Sequence, residues 1–481
     1  MGMGNPTKSE RSKKGRRSAR PRLTLCFFGF AFSRAANDMA YDVFSSVGSF
    51  GPVWGDDMLS LSMMAMFLVC ALLARKIAPL YCKRPVVAAA GILSIASAVL
   101  AYLAPYCGAG TVGVSTVALA LAGLSGAAFV LLWAEFHSTL EPACIVLYVS
   151  GAFALGSWGA WLLEDLDPLR TMLVLCALPM ASIACLKDSF SRVEEIDLPR
   201  KAWGRFTFPW RLILVLGVYE FAYGVREAMA TFSWGSYILG VIIVSLSLFF
   251  LVLFLSHRFN FSVVYQTPFV LMVGGLAMVP LTAPANAFAS DLLISAGYAL
   301  MFLVLTFLLC DLSHRYGVSV LVLCGVQELT AVFRLAGHRV PPALDAGMLP
   351  PALDATTISV VLTVAVVVAS ALLLTSRELS GRWGATFFGV DKMAAEAKYG
   401  NVFHARCGEI AEAHNLSARE REVFEHLAAG MSPSAIERKL FIANGTLKSH
   451  TQRIYQKLGI HSRKELRQMV GFDEEDVRFG Q

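Results

Sequence analysis

Between Leu23 and Thr375 the chain is a succession of apolar runs, each near the roughly 20 residues that a helix needs to cross a bilayer. They fall near 23–46, 57–76, 85–104, 111–134, 143–163, 169–186, 211–230, 237–256, 264–283, 290–311, 316–336 and 356–376, which makes twelve spans. Inside lipid no water satisfies backbone polar groups, so runs of this length fold as helices, and the expected class is all-α. Composition agrees. The 481 residues are 56% hydrophobic and only 16% charged, whereas a soluble domain carries about 25% charged residues. The first run is the least typical, because it contains Arg34, Asp38 and Asp42.

Basic residues are distributed unevenly between the runs. Segment 1–22 has eight of them (Lys8, Arg11, Lys13, Lys14, Arg16, Arg17, Arg20, Arg22) against the single acid Glu10. It reads as a basic cytoplasmic tail beside anionic lipid in preference to a DNA-binding arm, the other common use of such a run. Alternate connections hold Arg75, Lys76, Lys83, Arg84, the central loop 187–210 (Lys187, Arg192, Arg200, Lys201, Arg205), Arg258 and Arg315. Connections 47–56, 105–110 and 284–289 hold no lysine or arginine. Cytoplasmic loops are the ones enriched in these residues, so both termini are expected in the cytoplasm of a multi-pass cell-membrane protein. Arg170, Arg226, Arg334 and Arg339 run against the bias, at or near expected outer ends.

Ionisable groups within apolar runs are costly and default to functional candidates. Arg34 and Asp38 are one helical turn apart and can neutralise one another, with looser pairings of Glu220 with Arg226 and Glu328 with Arg334. Two readings stand: structural ion pairs, with Arg226 and Arg334 at the membrane surface, or a site for a polar small molecule. Arg34, Asp38, Glu220 and Glu328 are the ligand-binding candidates. The ten cysteines sit singly and in no metal-ligand spacing; no phosphate loop or catalytic pattern stands out, so neither a metal, a cofactor nor an enzyme is expected.

Residues 416–470 differ in kind, reading as four short helices. Ser417 with Glu420 forms a capping box, with Val423, Phe424 and Leu427 facing inward as far as Gly430. Ser432-Pro433 opens a second helix with inward Ile436 and Leu440. A third runs from about Gly445 to Leu458, stopped by Gly459. Ser462 with Glu465 repeats the capping box before a fourth. On the third, Leu447, Ile454 and Leu458 share one side, and Thr446, Lys448, Ser449, Gln452, Arg453, Gln456 and Lys457 lie away from it. This is either a small helical bundle with a solvated face or a helix-turn-helix that enters the major groove of double-stranded DNA.

The motif residues resemble the LuxR-type helix-turn-helix family. They are Leu416-Ser417-Ala418-Arg419-Glu420-Arg421-Glu422-Val423, Gly430, Ile436, Leu440-Phe441-Ile442, Thr446-Leu447-Lys448-Ser449-His450 and Ile454-Tyr455-Gln456-Lys457-Leu458-Gly459. The resemblance implies Lys448, Ser449 and Gln452 near base edges, and Thr446, Arg453 and Lys457 nearer phosphates. It also implies a homodimer paired through the fourth helix, around Leu466 to Val470. Two positions depart from it. Ala443 replaces a capping serine, which leaves Asn444 to take over the cap, and Glu437 replaces a small core residue.

Six runs, a polar loop and six more runs resemble the major facilitator architecture, with halves 23–186 and 211–376. A faint echo links Phe30-Ala31-Phe32-Ser33 to Phe221-Ala222-Tyr223-Gly224. That family carries a glycine- and aspartate-containing motif between spans two and three. Here Lys83-Arg84 remain, but Pro79 and Cys82 replace the aspartate and second glycine, which points to a domain that keeps a cavity and gives up turnover. Segment 377–415 is read as a linker with a lead helix whose inward candidates are Met393, Ala397, Ile410 and Ala413, and 471–481 as an acidic tail. The expected whole is a one-component regulator that senses a small molecule in its membrane domain and binds promoter DNA. The alternative is a transporter with a DNA-binding regulatory tail.

Overall fold

The computed structural model describes every residue except 1–22, 47–56, 194–197, 200–209, 230–233, 256–260, 282–286, 317, 349, 351–353, 376–405, 429–430, 432, 441 and 471–481. The basic tail, most of the central loop, Met393 and Ala397 of the lead helix, and the acidic tail therefore lie outside the described residues. The chain divides into two compact units, with the second covering Asp391–Gln481 and Arg315–Gly317.

Among its described residues the first unit is built of helices joined by short connections. Its first half contains α1 (Phe30–Ser46), α2 (Met58–Ile77), α3 (Arg84–Leu103), α4 (Thr111–His137), α5 (Pro142–Leu162) and α6 (Pro168–Ser191). The second contains α7 (Trp210–Glu227), α8 (Trp234–Leu255), α9 (Phe261–Met278), α10 (Phe288–Tyr316), α11 (Val320–Glu328), α12 (Ala331–Gly337), α13 (Val340–Asp345) and α14 (Ala355–Thr375). Every run marked in the sequence carries helix. Among the described residues seven stretches are long and apolar enough to cross a membrane, α3 joining α4 and α11 joining α12 and α13 for this purpose. This is a multi-pass membrane protein.

The eleventh run was expected as one helix and is two, α11 and α12, with α13 following it. Thr330 interrupts it by directing both its amide and its hydroxyl to the Gln327 carbonyl, at 3.0 and 2.8 Å. Side-chain bonding of this kind competes with the helical ladder. Further on, Pro341 and Pro342 supply no amide, and α13 starts afresh at Val340. The break at Thr330 leaves Glu328 as the last residue of α11 and places Arg334 midway along α12.

Within each half the helices pack at short range. α1 lies against α5 and α6, α4 against α2 and α3, and α7 against α12 and α14. A Cβ at Gly224 of α7 would sit 2.3 Å from the Arg334 carbonyl oxygen, so this crossing needs the bare backbone. The halves meet where α2 packs on α11 and α5 on α8.

The second unit has its own core. Following a helical stretch at 406–413 come α15 (Ala418–Ala428), α16 (Pro433–Leu440), α17 (Asn444–Leu458) and α18 (Arg463–Val470). Val423, Phe424, Leu427, Ile436, Leu447, Ile454 and Leu458 are buried together, as their spacing predicts. Cys407 joins them, completely buried, and Ala411 is buried while Ala413 is exposed. The inward face of the lead helix is therefore 407, 410 and 411.

Candidate nucleic-acid interface and ligand cavity

Helix α17 is fixed at both ends by local chemistry. At its end Gly459 adopts φ 68°, and the amides of Gly459 and Ile460 return to the carbonyls of Gln456 and Tyr455 at 3.4 and 3.0 Å. This is the glycine-closed turn that the sequence implies. At its start Ala443 caps without a side-chain bond. Asn444 does not take over the cap. Its amide nitrogen donates to Glu437 of α16, so one of the two departures from the family pattern, Glu437, is used in a contact across the turn.

The remaining polar side chains divide into those that brace the unit and those left outward. In the first capping box the Ser417 amide donates to Glu420 at 2.8 Å and the Glu420 amide to the Ser417 hydroxyl at 3.3 Å. The second box is altered. The Glu465 amide donates to the Ser462 hydroxyl at 3.2 Å, but the Glu465 carboxylate takes the His461 amide at 2.9 Å and the Ser462 hydroxyl at 2.9 Å. Lys457 turns inward at its tip, donating to Glu420 at 2.7 Å and to the Asn415 carbonyl at 2.9 Å. That ammonium, with the Ser417 amide, holds the Glu420 carboxyl far below its usual range, at about 2. Arg419 reaches the Leu440 carbonyl at 2.7 Å, and Arg463 the carbonyls of Leu427 and Met431, tying helices together.

Thr446, Lys448, Ser449, Gln452 and Arg453 are all exposed on α17. Among the described residues none of these five side chains is engaged by another side chain. A helix of 15 residues with this outward edge matches a major groove about 12 Å wide, whose base edges offer acceptors to lysine and paired donor and acceptor sites to glutamine.

Residues 414–470 match the family described as "Bacterial regulatory proteins, luxR family". This unit is a LuxR-family helix-turn-helix domain. Its relatives include the "Probable transcriptional regulatory protein NarL" of Mycobacterium tuberculosis, 52% identical over 48 residues, which are 10% of this chain and 22% of that protein. The Fimbriae Z protein of Salmonella typhimurium is 45% identical over 51 residues, 11% of this chain and 24% of that one. The chain thus spans less than a third of these relatives, through the LuxR-family domain alone.

In the membrane unit, all four sequence candidates line one cavity of about 480 Å³ between the halves. From α1, Arg34 binds Asp38 at 2.9 Å and donates to the Tyr237 hydroxyl of α8 at 3.0 Å, with its guanidinium 4.7 Å from the Phe153 ring centre. Ser157 donates to Asp38 at 3.0 Å. From α7, Glu220 accepts from the Tyr298 hydroxyl at 3.1 Å, and Tyr298 stacks on Tyr223 with centroids 3.7 Å apart. Glu328, at the broken end of α11, also faces the cavity.

The looser pairings expected from sequence are different in the structure. Arg226 is buried, with its guanidinium 2.7 Å from Asp291 of α10, and does not meet Glu220. Residues six apart on a helix point to different sides, which forbids that pair. Arg334 is not paired to Glu328 at short range; it donates to Ser60 of α2 at 3.0 Å and lies 4.0 Å from Glu227. Neither arginine stands at a solvated surface.

Sequence reading missed the cluster beside them. His338 presents Nδ1 to Asp57 at 2.9 Å and Nε2 to Glu227 at 2.8 Å, while Arg339 also engages Asp57. Asp57 and Ser60 belong to the first half and the others to the second, so the cluster bridges both. The signal for it lay in Arg334 and Arg339, two of the basic residues that run against the loop bias.

The membrane unit is similar to solved transporters of the major facilitator type. The human organic anion transporter MFSD10 aligns at TM-score 0.50 and 14% identity, over 73% of this chain and 98% of that one. The proton:xylose symporter XylE aligns at TM-score 0.50 and 13% identity, over 74% and 98%. At this identity the likeness carries the fold, a major-facilitator-like helical bundle, and nothing about cargo.

Proposed function

We propose that this protein is a membrane-integrated one-component transcription regulator. A small molecule binds the cavity between the two halves, and its occupancy alters how the LuxR-family domain holds promoter DNA. The change passes through segment 377–415. The observation that carries the reading is the union, in one chain, of a LuxR-family helix-turn-helix and a membrane bundle whose cavity presents ionisable side chains. A ligand can shift such an equilibrium only by as much as its affinities for the two states differ.

On this reading the chain crosses the membrane twelve times with both termini cytoplasmic, which the excess of basic residues in alternate loops supports. Lys448, Ser449 and Gln452 read bases, and Thr446 and Arg453 contact phosphates. Lys457 lies at the edge of the interface with its charge already balanced by Glu420. Two copies pair through α18. The domains are 1–22, 23–376, 377–415, 416–470 and 471–481.

Mapping the chromosomal sites bound by the tagged full-length protein tests the proposal. Discrete sites are expected that vanish in a Lys448→Ala/Gln452→Ala variant; binding without site preference, or none, overturns it. A second reading, a transporter with a regulatory tail, draws on the likeness to solved transporters across nearly their whole length. Against it, the loop between α2 and α3 is fastened within its own half, with the Leu80 and Tyr81 amides on the Glu135 carboxylate at 2.8 to 3.0 Å. Solute accumulation by vesicles bearing the protein would favour the transporter.

A further inference from the structure

The cavity between the halves carries acids and bases in unequal number. Asp38, Glu220, Glu227 and Glu328 face it from within the bundle, against the guanidiniums of Arg34 and Arg334; Glu164 lies exposed at its rim. Arg34 is committed to Asp38 at 2.9 Å. Asp57 and Glu227 are engaged by His338 and Arg339, which leaves Arg334 to serve both Glu220 and Glu328. Glu220 has the Tyr298 phenol at 3.1 Å. Glu328 has no hydrogen-bond or short ion-pair partner among the described residues, and it lies near enough to Glu220 to interact electrostatically. A carboxylate facing a cavity with largely apolar walls attracts a counter-charge.

The rest of the wall is largely apolar and aromatic, including Phe129, Phe153, Phe302 and the stacked Tyr223–Tyr298 pair. Ring faces attract cations as well as apolar bodies. A volume of about 480 Å³ suits a drug-sized molecule and exceeds what an inorganic ion needs.

We infer that the ligand of this cavity is an organic monocation with an aromatic or otherwise apolar body, its charge seated between Glu220 and Glu328. The inference rests on the reading of the bundle as a ligand-binding sensor and narrows it to a chemical class. An organic anion would bring like charge to two carboxylates served by a single guanidinium.

The test uses two ions of nearly the same shape and opposite sign, tetraphenylphosphonium and tetraphenylborate. Binding of each to the detergent-purified full-length protein is measured by equilibrium dialysis, with Glu328→Gln and Glu220→Gln alongside. Uptake into micelles is common to wild type and variants, so differences between them report the cavity. The phosphonium is expected to bind at least tenfold tighter than the borate. Each glutamine variant that elutes as a folded species should weaken it at least tenfold, about 1.4 kcal/mol. With each ion's uptake into protein-free micelles subtracted, equal or tighter binding of the borate overturns the inference, as does unchanged phosphonium affinity in the variants; the corrected wild-type comparison decides even if a variant fails to fold. Promoter-DNA affinity measured with the phosphonium bound separates the two claims. Cation binding without any effect on DNA leaves this assignment standing and refutes the sensor, whereas preference for the borate refutes only this assignment.

Discussion

Replacing Lys457 with alanine separates bracing from DNA contact on α17. In the folded domain Glu420 titrates at about 2 against an ordinary 4.5, with the Lys457 ammonium the largest cause and the Ser417 amide the next. The whole shift corresponds to about 3 kcal/mol at most. The Lys457 side chain is 39% exposed, so solvent screens its share; exposed pairs of this kind contribute about 1 kcal/mol or less. Lys457→Ala should therefore lower the unfolding free energy of a 391–481 fragment by about 1 kcal/mol at pH 7. Because Glu420 is depressed on folding, its stabilisation is complete above about pH 4.5 and is lost as pH falls through about 2. The gap between wild type and variant should close over that window in urea titrations followed by circular dichroism. DNA binding supplies the second readout. Lys457→Ala should leave the slope of log K against log salt unchanged, whereas Arg453→Ala should reduce it by about 1. A variant as stable as wild type at pH 7, or a salt slope lowered by losing Lys457, would refute the reasoning.

Lys448→Ala and Gln452→Ala should each weaken binding to an identified operator by about 1–3 kcal/mol in gel-shift titrations, with no change in melting temperature. Gly224→Ala should destabilise the detergent-solubilised protein by about 1–3 kcal/mol, because its Cβ would press on the Arg334 carbonyl. Gly274→Ala, with nothing within 4 Å, is the matched control in the same thermal-shift assay. Arg226→Met should cost about 3–5 kcal/mol by stranding the buried Asp291, and Asp291→Leu in the same chain should restore most of it.

Much of the architecture was legible because its physics is local. The length of an apolar run fixes a membrane helix, and α4 over Thr111–His137 brackets its expected 111–134 within a few residues. Capping boxes and a stop glycine are equally local, which is why Ser417, Glu420 and Gly459 behave as the sequence implies. The break in the eleventh run was missed because hydropathy weighs side chains and ignores hydrogen bonds that compete with the helical ladder, although Thr330 carried the signal. Ion-pair partners were hidden for another reason. Arg226 and Asp291 are 65 residues apart, and only the packing of α7 on α10 brings them together. The four cavity candidates were found by the opposite logic: the cost of charge in lipid marks such residues whatever their partners. The role of Asn444 escaped because its contact depends on Glu437 across a turn, and spacing does not encode that angle.

The cluster of Asp57, Ser60, Glu227, Arg334, His338 and Arg339 acts as a rivet between the two halves at one end of the bundle. Separating the halves there means breaking several charged contacts together, since a lone ion left in that interior is worse off than either joined or fully hydrated. A seam fastened this way favours two positions over a continuum, shut or parted, with little population between. A molecule that tips such a balance need supply only the difference between two settled states.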